Sequence, residues 1–339
     1  MKFGVFIMGT QSGTYLDILD QVEYAEELGF DAVWLAERYF QHSDLLWPSP
    51  LTIAGFIAAK TRRMRIGLAA RILPFHHPLH VAEDVATVDV LSQGRFNFGV
   101  TRAGLDELFH QTFHVPLEET RDRFKEALEI ILQAWTQPQV SYQGKYYQIP
   151  GLTVLPKPIQ KPHPPVFMVA NTPESIQYAA RQAYPIFING AQRIPEMQYN
   201  QQLYWKAFEQ AGHDRARVDL LVNRFIYVAE STAQAREDME KPFMTFIHER
   251  APDLKQFLIR KYGDKGLDFD FLADHICIFG DPEYCVRRLE ELQTHIDLRY
   301  LLCTLNFITL EHKLCVKSME RFAREVMPHF QGSCVLRHS

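Results

Sequence analysis

Along this chain, short apolar runs rich in β-branched and aromatic residues alternate with longer amphipathic stretches, and the alternation repeats eight times. Extended runs are read at 3–8, 32–36, 64–70, 95–100, 166–170, 186–189, 220–228 and 299–305. Helical stretches follow them at 16–28, 48–60, 78–91, 118–135, 173–183, 195–211, 232–249 and 310–327. Each run is too short and too apolar to have one face in water, so the pattern calls for a parallel sheet covered by helices. Eight such units predict a (β/α)8 TIM barrel. The alternative is a doubly wound sheet. Such sheets usually have fewer strands and a glycine-rich first turn, whereas Gly9-Thr10-Gln11-Ser12-Gly13 lacks the GxGxxG spacing. The barrel is expected to form one domain over residues 1–330, with 331–339 as a C-terminal tail.

Local signals sharpen this picture. The first helix is expected to bury Leu16, Leu19, Val22, Ala25 and Leu28 and to end at Gly29. Two segments interrupt the rhythm. Residues 140–164 read as a hairpin around Gly144-Lys145 followed by a proline-rich stretch, an insertion in the barrel. Residues 250–276 fit no unit and read as a lid-like excursion before strand eight, mobile without ligand.

The 339 residues carry a net charge of −5 with no basic cluster, which argues against nucleic acid as a partner. The N-terminus reads as a strand and not as a signal peptide, and no apolar run is long enough for a bilayer, so a soluble cytoplasmic protein is expected. The five cysteines show no CxxC spacing and read as reduced, buried thiols. Leu51–Ala59 is apolar on nearly every side, more than one buried stripe requires, which predicts a homodimer; a heterodimer with a related subunit is the alternative.

Barrel enzymes place their chemistry just past the strand ends. Those ends here carry Glu37-Arg38-Tyr39-Phe40, Ala69-Ala70-Arg71, Thr101-Arg102, Ala170-Asn171-Thr172 and Asn306-Phe307. Thr172 is placed as an N-cap, with Pro173 first in the helix and Ser175 in its first turn. Ordinary capping explains that arrangement. So does an anion site built from helix-terminal N–H groups and two hydroxyls, and Arg102 favours it. The group His76, His77 and His80 lacks metal-ligand spacing, so no metal is expected, and His77 before Pro78 reads as a turn residue. Glu83, Asp84 and Asp89 are expected to face solvent or an interface. Nucleophile elbows, Walker loops and cysteine–histidine pairs are absent.

The run Leu73–Asp84 with Asp89–Val100 resembles the bacterial luciferase-like flavin monooxygenases, as do Met1–Phe6, Ala36-Glu37, the region Pro156–Ser175, Gly280–Glu283 and Val326–Pro328. The likeness covers nearly the whole chain. It implies a (β/α)8 barrel that binds reduced FMN, supplied by a separate flavin reductase, and activates O2 as a flavin C4a-hydroperoxide to oxygenate a small organic substrate. By the resemblance, Arg102, Arg121, Thr172 and Ser175 hold the phosphate, and Ala69-Ala70 forms a non-proline cis peptide under the flavin ring. Glu37 lies at the flavin edge, and Thr101, Ala170 and Asn171 line the cofactor. Two departures stand out. Arg38 and Tyr39 follow the glutamate where luciferase has histidine, and Thr101 stands where luciferase has cysteine. Both point away from light emission, and Arg38 and Tyr39 become the expected catalytic pair, an oxyanion stabiliser and a hydrogen-bond donor or weak acid. Phe6, Phe40, Trp47, Phe75 and Phe307 are expected either to wall the pocket or to pack the core. The same resemblance leaves open a deazaflavin (F420)-dependent oxidoreductase and a non-catalytic flavin-binding protein or subunit.

Overall fold

The protein is described from a computed structural model covering residues 1–9, 15–40, 47–102, 107–307 and 309–331. Its strands are β1 (Lys2–Ile7), β2 (Ala32–Leu35), β3 (Arg65–Leu68), β4 (Arg71–Ile72), β5 (Phe96–Thr101), β6 (Val140–Gln143), β7 (Gln148–Leu152), β8 (Val166–Val169), β9 (Ile186–Ile188), β10 (Leu221–Val228), β11 (Cys277–Gly280) and β12 (Tyr300–Thr304). The helices are α1 (Tyr15–Glu27), α2 (Pro50–Lys60), α3 (Pro78–Leu91), α4 (Glu107–Thr112), α5 (Thr120–Thr136), α6 (Pro173–Arg181), α7 (Ile194–Gln210), α8 (Thr232–Thr245), α9 (Pro252–Tyr262), α10 (Phe269–His275), α11 (Pro282–His295), α12 (His312–Arg321) and α13 (Pro328–Gln331). Eight parallel strands, β1, β2, β3, β5, β8, β9, β10 and β12, close into a (β/α)8 barrel with helices around it. The chain packs as two compact units, one of residues 1–34 with 170 onward, the other of 35–40 with 47–169. Residues 332–339, the bulk of the expected tail, lie outside the described residues, as does Cys334.

In the first unit β12 pairs with β1 (Phe3 opposite Leu301) and with β10 (Val222 opposite Leu301). Every residue of β10 and β12 is buried, as expected of parallel strands covered on both faces. Trp34 fills this interior, its indole N–H donating to Tyr300 Oη at 3.0 Å and its edge meeting Phe187. Gly4 leaves the room for it: a Cβ there would lie 2.9 Å from Leu302 and 3.3 Å from Trp34. The fully buried Arg224 donates to the carbonyls of Gly190 and Gln192, fixing the loop after β9.

Two expectations are corrected in this unit. Helix α1 buries Ile18, Gln21, Val22 and Ala25, while Leu16 is 70% exposed. A helix turns by about 100° per residue, so positions at a strict spacing of three drift about 60° per step and cannot share one face. Gly29 does end the helix, in the left-handed region at φ 90°. The excursion at 250–276 contains α9 and α10 and leads into β11 and α11, a further parallel strand and helix that the eight-unit reading passed over. Tyr262 at the end of α9 donates to the Ala191 carbonyl and accepts from the Arg193 N–H, so the excursion is pinned to the loop after β9.

In the second unit β5 pairs with β3, β4 and β8. Trp135 of α5 donates to the Ala82 carbonyl at 2.9 Å and meets Phe98 edge-on, locking α3, α5 and β5 together. Asp89 is completely buried and faces neither solvent nor an interface. Its carboxylate accepts from the Gln160 backbone and side-chain N–H groups, which compensates the burial. The hairpin is β6 with β7, and the single carboxylate of Glu126 accepts from the backbone N–H groups of Lys145, Tyr146 and Tyr147. Among the described residues no helix is long and apolar enough to cross a membrane.

Gly99 lies on β5 where the neighbouring backbone leaves no space, since an added Cβ would fall on the Leu68 carbonyl. Gly99→Ala is therefore expected to cost about 1–3 kcal/mol through forced displacement of packed strands. A lowered urea midpoint with unchanged slope would be the signature; an unchanged midpoint would contradict it.

Candidate functional site

The site described here lies wholly within the second unit and starts where β2 ends. Beyond Leu35 the chain is turned by an antiparallel bridge between Arg38 and Trp47, with the Arg38 N–H donating to the Trp47 carbonyl at 3.2 Å. This directs the Glu37 side chain inward, where it is wholly buried. Nearby, β3 stops at Leu68, the Ala69–Ala70 peptide bond is cis, and the Ala69 N–H donates to the Leu35 carbonyl at 2.7 Å. The chain then resumes as β4.

Four side chains meet at this junction. One Glu37 oxygen accepts from the Arg71 guanidinium and the other from the Ile72 backbone N–H at 2.7 Å. A short 3-10 turn, Leu73–Phe75, returns His76 to the same place. Its Nδ1 lies 3.2 Å from Arg71 Nη2, and its Nε2 lies 2.9 Å from Tyr39 Oη and 3.5 Å from a Glu37 oxygen. The protons can be assigned from partner chemistry. Guanidinium only donates, so Nδ1 is the bare, accepting nitrogen and Nε2 carries the hydrogen. Tyr39 Oη and, at 3.5 Å, a Glu37 oxygen share that hydrogen, and the Tyr39 hydroxyl directs its own toward Glu37.

The electrostatics agree with this inventory. Burial alone raises the Glu37 carboxyl, but the hydrogen bond from His76, the Arg71 charge and the Tyr39 hydroxyl outweigh it, leaving the group below the usual carboxylate range. Burial and the adjacent Glu37 charge push the Tyr39 phenol far above its ordinary value. Burial and the neighbouring carboxylate thus hold the proton on Tyr39, whose hydroxyl pairs with His76 in this structure.

Against this network packs an aromatic cluster. Tyr39 meets Phe109 and Phe113 edge-on, and Phe75 stacks on Phe113 with centroids 4.8 Å apart and planes 15° apart. Ile72 and Val115 complete it. Of the aromatic residues named from the sequence, Phe40 and Phe75 belong here, Trp47 is fully buried, and Phe307 packs among Phe243, Phe246 and Phe279 as core of the other unit.

The other expected site residues are placed as follows. Thr101 ends β5 and, with Arg102, is half-buried; Arg121 is exposed in the first turn of α5. Neither arginine has an ion-pair partner among the described residues, and it is Arg123 that engages Glu119. In the first unit Ala170 is buried and Asn171 exposed. Thr172 caps α6 in a reciprocal capping box: its Oγ1 accepts from the Ser175 N–H, and the Ser175 hydroxyl accepts from the Thr172 N–H and donates to the Thr172 carbonyl. Both hydroxyls are thus engaged with each other, and an anion there would meet them only after they rotate. A cavity of about 650 Å³ lies elsewhere in the first unit, lined by Gln201, Trp205, Arg215 and Asp297 near the N-terminal ends of β10 and β12, and it contains none of these residues.

Arg71 and His76 are what the sequence reading missed as site residues. The available signal was their position: an arginine directly after Ala69-Ala70 and a histidine one turn later, both within reach of a glutamate at the end of β2. A family model described as luciferase-like monooxygenase matches residues 1–296. The alkanal monooxygenase alpha chain of the Kryptophanaron alfredi symbiont is 25% identical over 98% of this chain and 99% of its own. The oxygenase component of the flavin-dependent trigonelline monooxygenase of Acinetobacter baylyi is 24% identical over 99% and 98%. The crystal structure of monooxygenase RslO1 from Streptomyces bottropensis superposes with a TM-score of 0.85 at 25% identity, covering 97% of this chain and all of that one.

The Glu37–Arg71 pair sets a pH dependence. A carboxyl held below its unfolded value contributes stability that is complete above the ordinary carboxylate pKa and is lost as pH falls through the lowered folded value. Glu37→Gln leaves the Arg71 charge unpaired and is expected to cost about 3–5 kcal/mol at neutral pH. Urea titrations of both proteins should show this gap narrowing on acidification below the ordinary carboxylate range. A constant gap would show that Glu37 does not titrate with folding.

Proposed function

This chain belongs to the luciferase-like monooxygenase family, and we propose that within it the protein is an FMN-dependent monooxygenase that works as a homodimer beside a separate flavin reductase. The observation that carries the reading is the charge-balanced network of Glu37, Arg71, His76 and Tyr39, buried next to an aromatic cluster at the strand ends. Such a place excludes water while keeping donors at hand for an oxygen that gains charge. Bound reduced flavin supplies the electrons that activate O2, so that one oxygen atom enters a small organic substrate and the other leaves as water.

The residues present fit a phosphate-bearing flavin. Arg102 and Arg121 offer two guanidinium groups without carboxylate partners among the described residues, a donor set suited to phosphate. Thr172 and Ser175 offer a helix N-terminus. Ala69, Ala70, Thr101, Ala170 and Asn171 are assigned to the ring and its surroundings. Glu37 acts on the cofactor's surroundings indirectly, because its oxygens are occupied in holding the Arg71–Ile72 segment that follows Ala69–Ala70. Arg38 is assigned to stabilise negative charge developing on oxygen, and Tyr39 to hold His76. The relative named as an oxygenase component supports a separate reductase. For the dimer, Phe56 on α2 remains 43% exposed beside the half-buried Ile53, which leaves apolar surface to be covered.

Arg102→Ala and Arg121→Ala are each expected to raise the Kd for FMN about ten- to a hundredfold with the fold intact, the effect of losing one charge-assisted hydrogen bond. Riboflavin, lacking the phosphate, should bind wild type and variants alike. Equal loss of riboflavin and FMN would show that these arginines support the barrel instead. Light scattering at micromolar concentration should give twice the chain mass; a monomer mass would exclude the dimer.

A further inference from the structure

On the buried face of α1 one side chain is polar, Gln21, beside Ile18, Val22 and Ala25, and a buried amide needs partners at both its ends. Those partners come from the far end of the chain. Gln21 Oε1 accepts from Asn306 Nδ2 at 2.6 Å and from the Cys315 thiol at 3.5 Å. Gln21 Nε2 lies 2.9 Å from Nδ1 of His312, the first residue of α12. An amide nitrogen only donates, so Nδ1 is the bare nitrogen of a neutral imidazole and Nε2 carries the hydrogen. His312 is exposed, Gln21 is 3% exposed and Asn306 is half-buried. Asn306 stands two residues past Thr304, the last residue of β12, at the end of the strands where barrel enzymes place their chemistry. A chain of hydrogen bonds therefore runs from a surface imidazole, through the core, to a strand end.

Each link has a direction, and His312 sets it. Imidazole takes up a proton between about pH 5 and pH 8. Both its nitrogens then donate, so Gln21 must meet Nδ1 with its carbonyl instead of its NH2 group. Turned about, Gln21 offers N–H to Asn306, which must answer with Oδ1. The thiol accommodates either direction. Cys315 Sγ is also 3.5 Å from the Leu305 carbonyl, which can take its hydrogen while the sulfur accepts from Gln21. Other titratable groups surround the chain. Asp17, Asp20 and Tyr24 lie about Gln21 on α1, Glu311 and Lys313 flank His312, and Cys315 follows one turn later. Strand β10, which also packs on α12, brings Tyr227, whose hydroxyl donates to Asp238. Among the described residues only Gln21 bonds His312.

From this chain we propose that Gln21 is a positioning residue for Asn306, and that a proton on His312 reverses the end of the Asn306 amide that points away from Gln21. That end is the carbonyl while the imidazole is neutral and the NH2 group once it is charged. The pH thus decides whether Asn306 offers a hydrogen-bond acceptor or a donor beyond β12. The inference stands apart from the cofactor and substrate chemistry proposed above.

The test is a pH titration of the full chain by NMR, with isotopically labelled asparagine, glutamine and histidine side chains. Signals are assigned by their loss in Asn306→Ser and His312→Asn. The expected result is one step in the His312 and Asn306 signals at a shared midpoint. Above it one Asn306 amide proton is bonded to Gln21 and resonates apart from the other. Below it that bond is lost, so the two protons converge and exchange with water faster. A change of nearby charge alone would shift the pair without converging it. His312→Asn holds no proton and should leave the Asn306 signal flat across the range. Gln21→Leu should leave His312 titrating and Asn306 flat; if that variant does not fold, the exposed substitution His312→Asn carries the test. The proposal is overturned if the Asn306 pair fails to converge while His312 titrates, if the step persists in either variant, or if His312 stays neutral throughout.

Discussion

A fully buried carboxylate must be answered by charge and hydrogen bonds, and in this protein the answer to Glu37 organises the residues around it. Arg71 and the Ile72 N–H take its two oxygens, which ties the end of β2 to the segment after Ala69–Ala70. The same arginine fixes which nitrogen of His76 is bare, and the histidine fixes the Tyr39 hydroxyl. Removing any one member leaves a buried donor or acceptor on the next, so the four residues form a unit and not a set of independent contributions.

The barrel was legible because its cause is local and repeated. Apolar runs between amphipathic stretches leave few alternatives once eight units are counted, and fully buried β10 and β12 are what such runs require. What was not legible has particular reasons. The face of α1 was misjudged because a three-residue spacing resembles helical periodicity over one turn and departs from it over four. β11 was passed over because it is short and follows a segment whose mixed polarity hid two helices.

The site was legible in its positions more than in its roles. Glu37, Tyr39, Ala69 and Ala70 were picked out by lying at strand ends, and the structure brings them to one junction with Arg71 and His76. Roles depend on which atom faces which, and sequence spacing carries no such information. Tyr39 as an isolated phenol suggests a hydrogen-bond donor or a weak acid. Buried beside a carboxylate, the same phenol keeps its proton. Thr172 and Ser175 show the converse case: the helix start was read correctly, and the reciprocal bonding of the two hydroxyls is a detail that only coordinates supply.

The cysteines bear on how long such a protein could work. Cys277, Cys285, Cys303 and Cys315 are all buried, and burial raises each thiol, Cys315 to about 12. Oxidants attack the thiolate, and at neutral pH these four hold almost none of it. An oxidant reaching these four side chains would meet no ready sulfur anion, so the durability of the fold does not hang on keeping oxidants away from them.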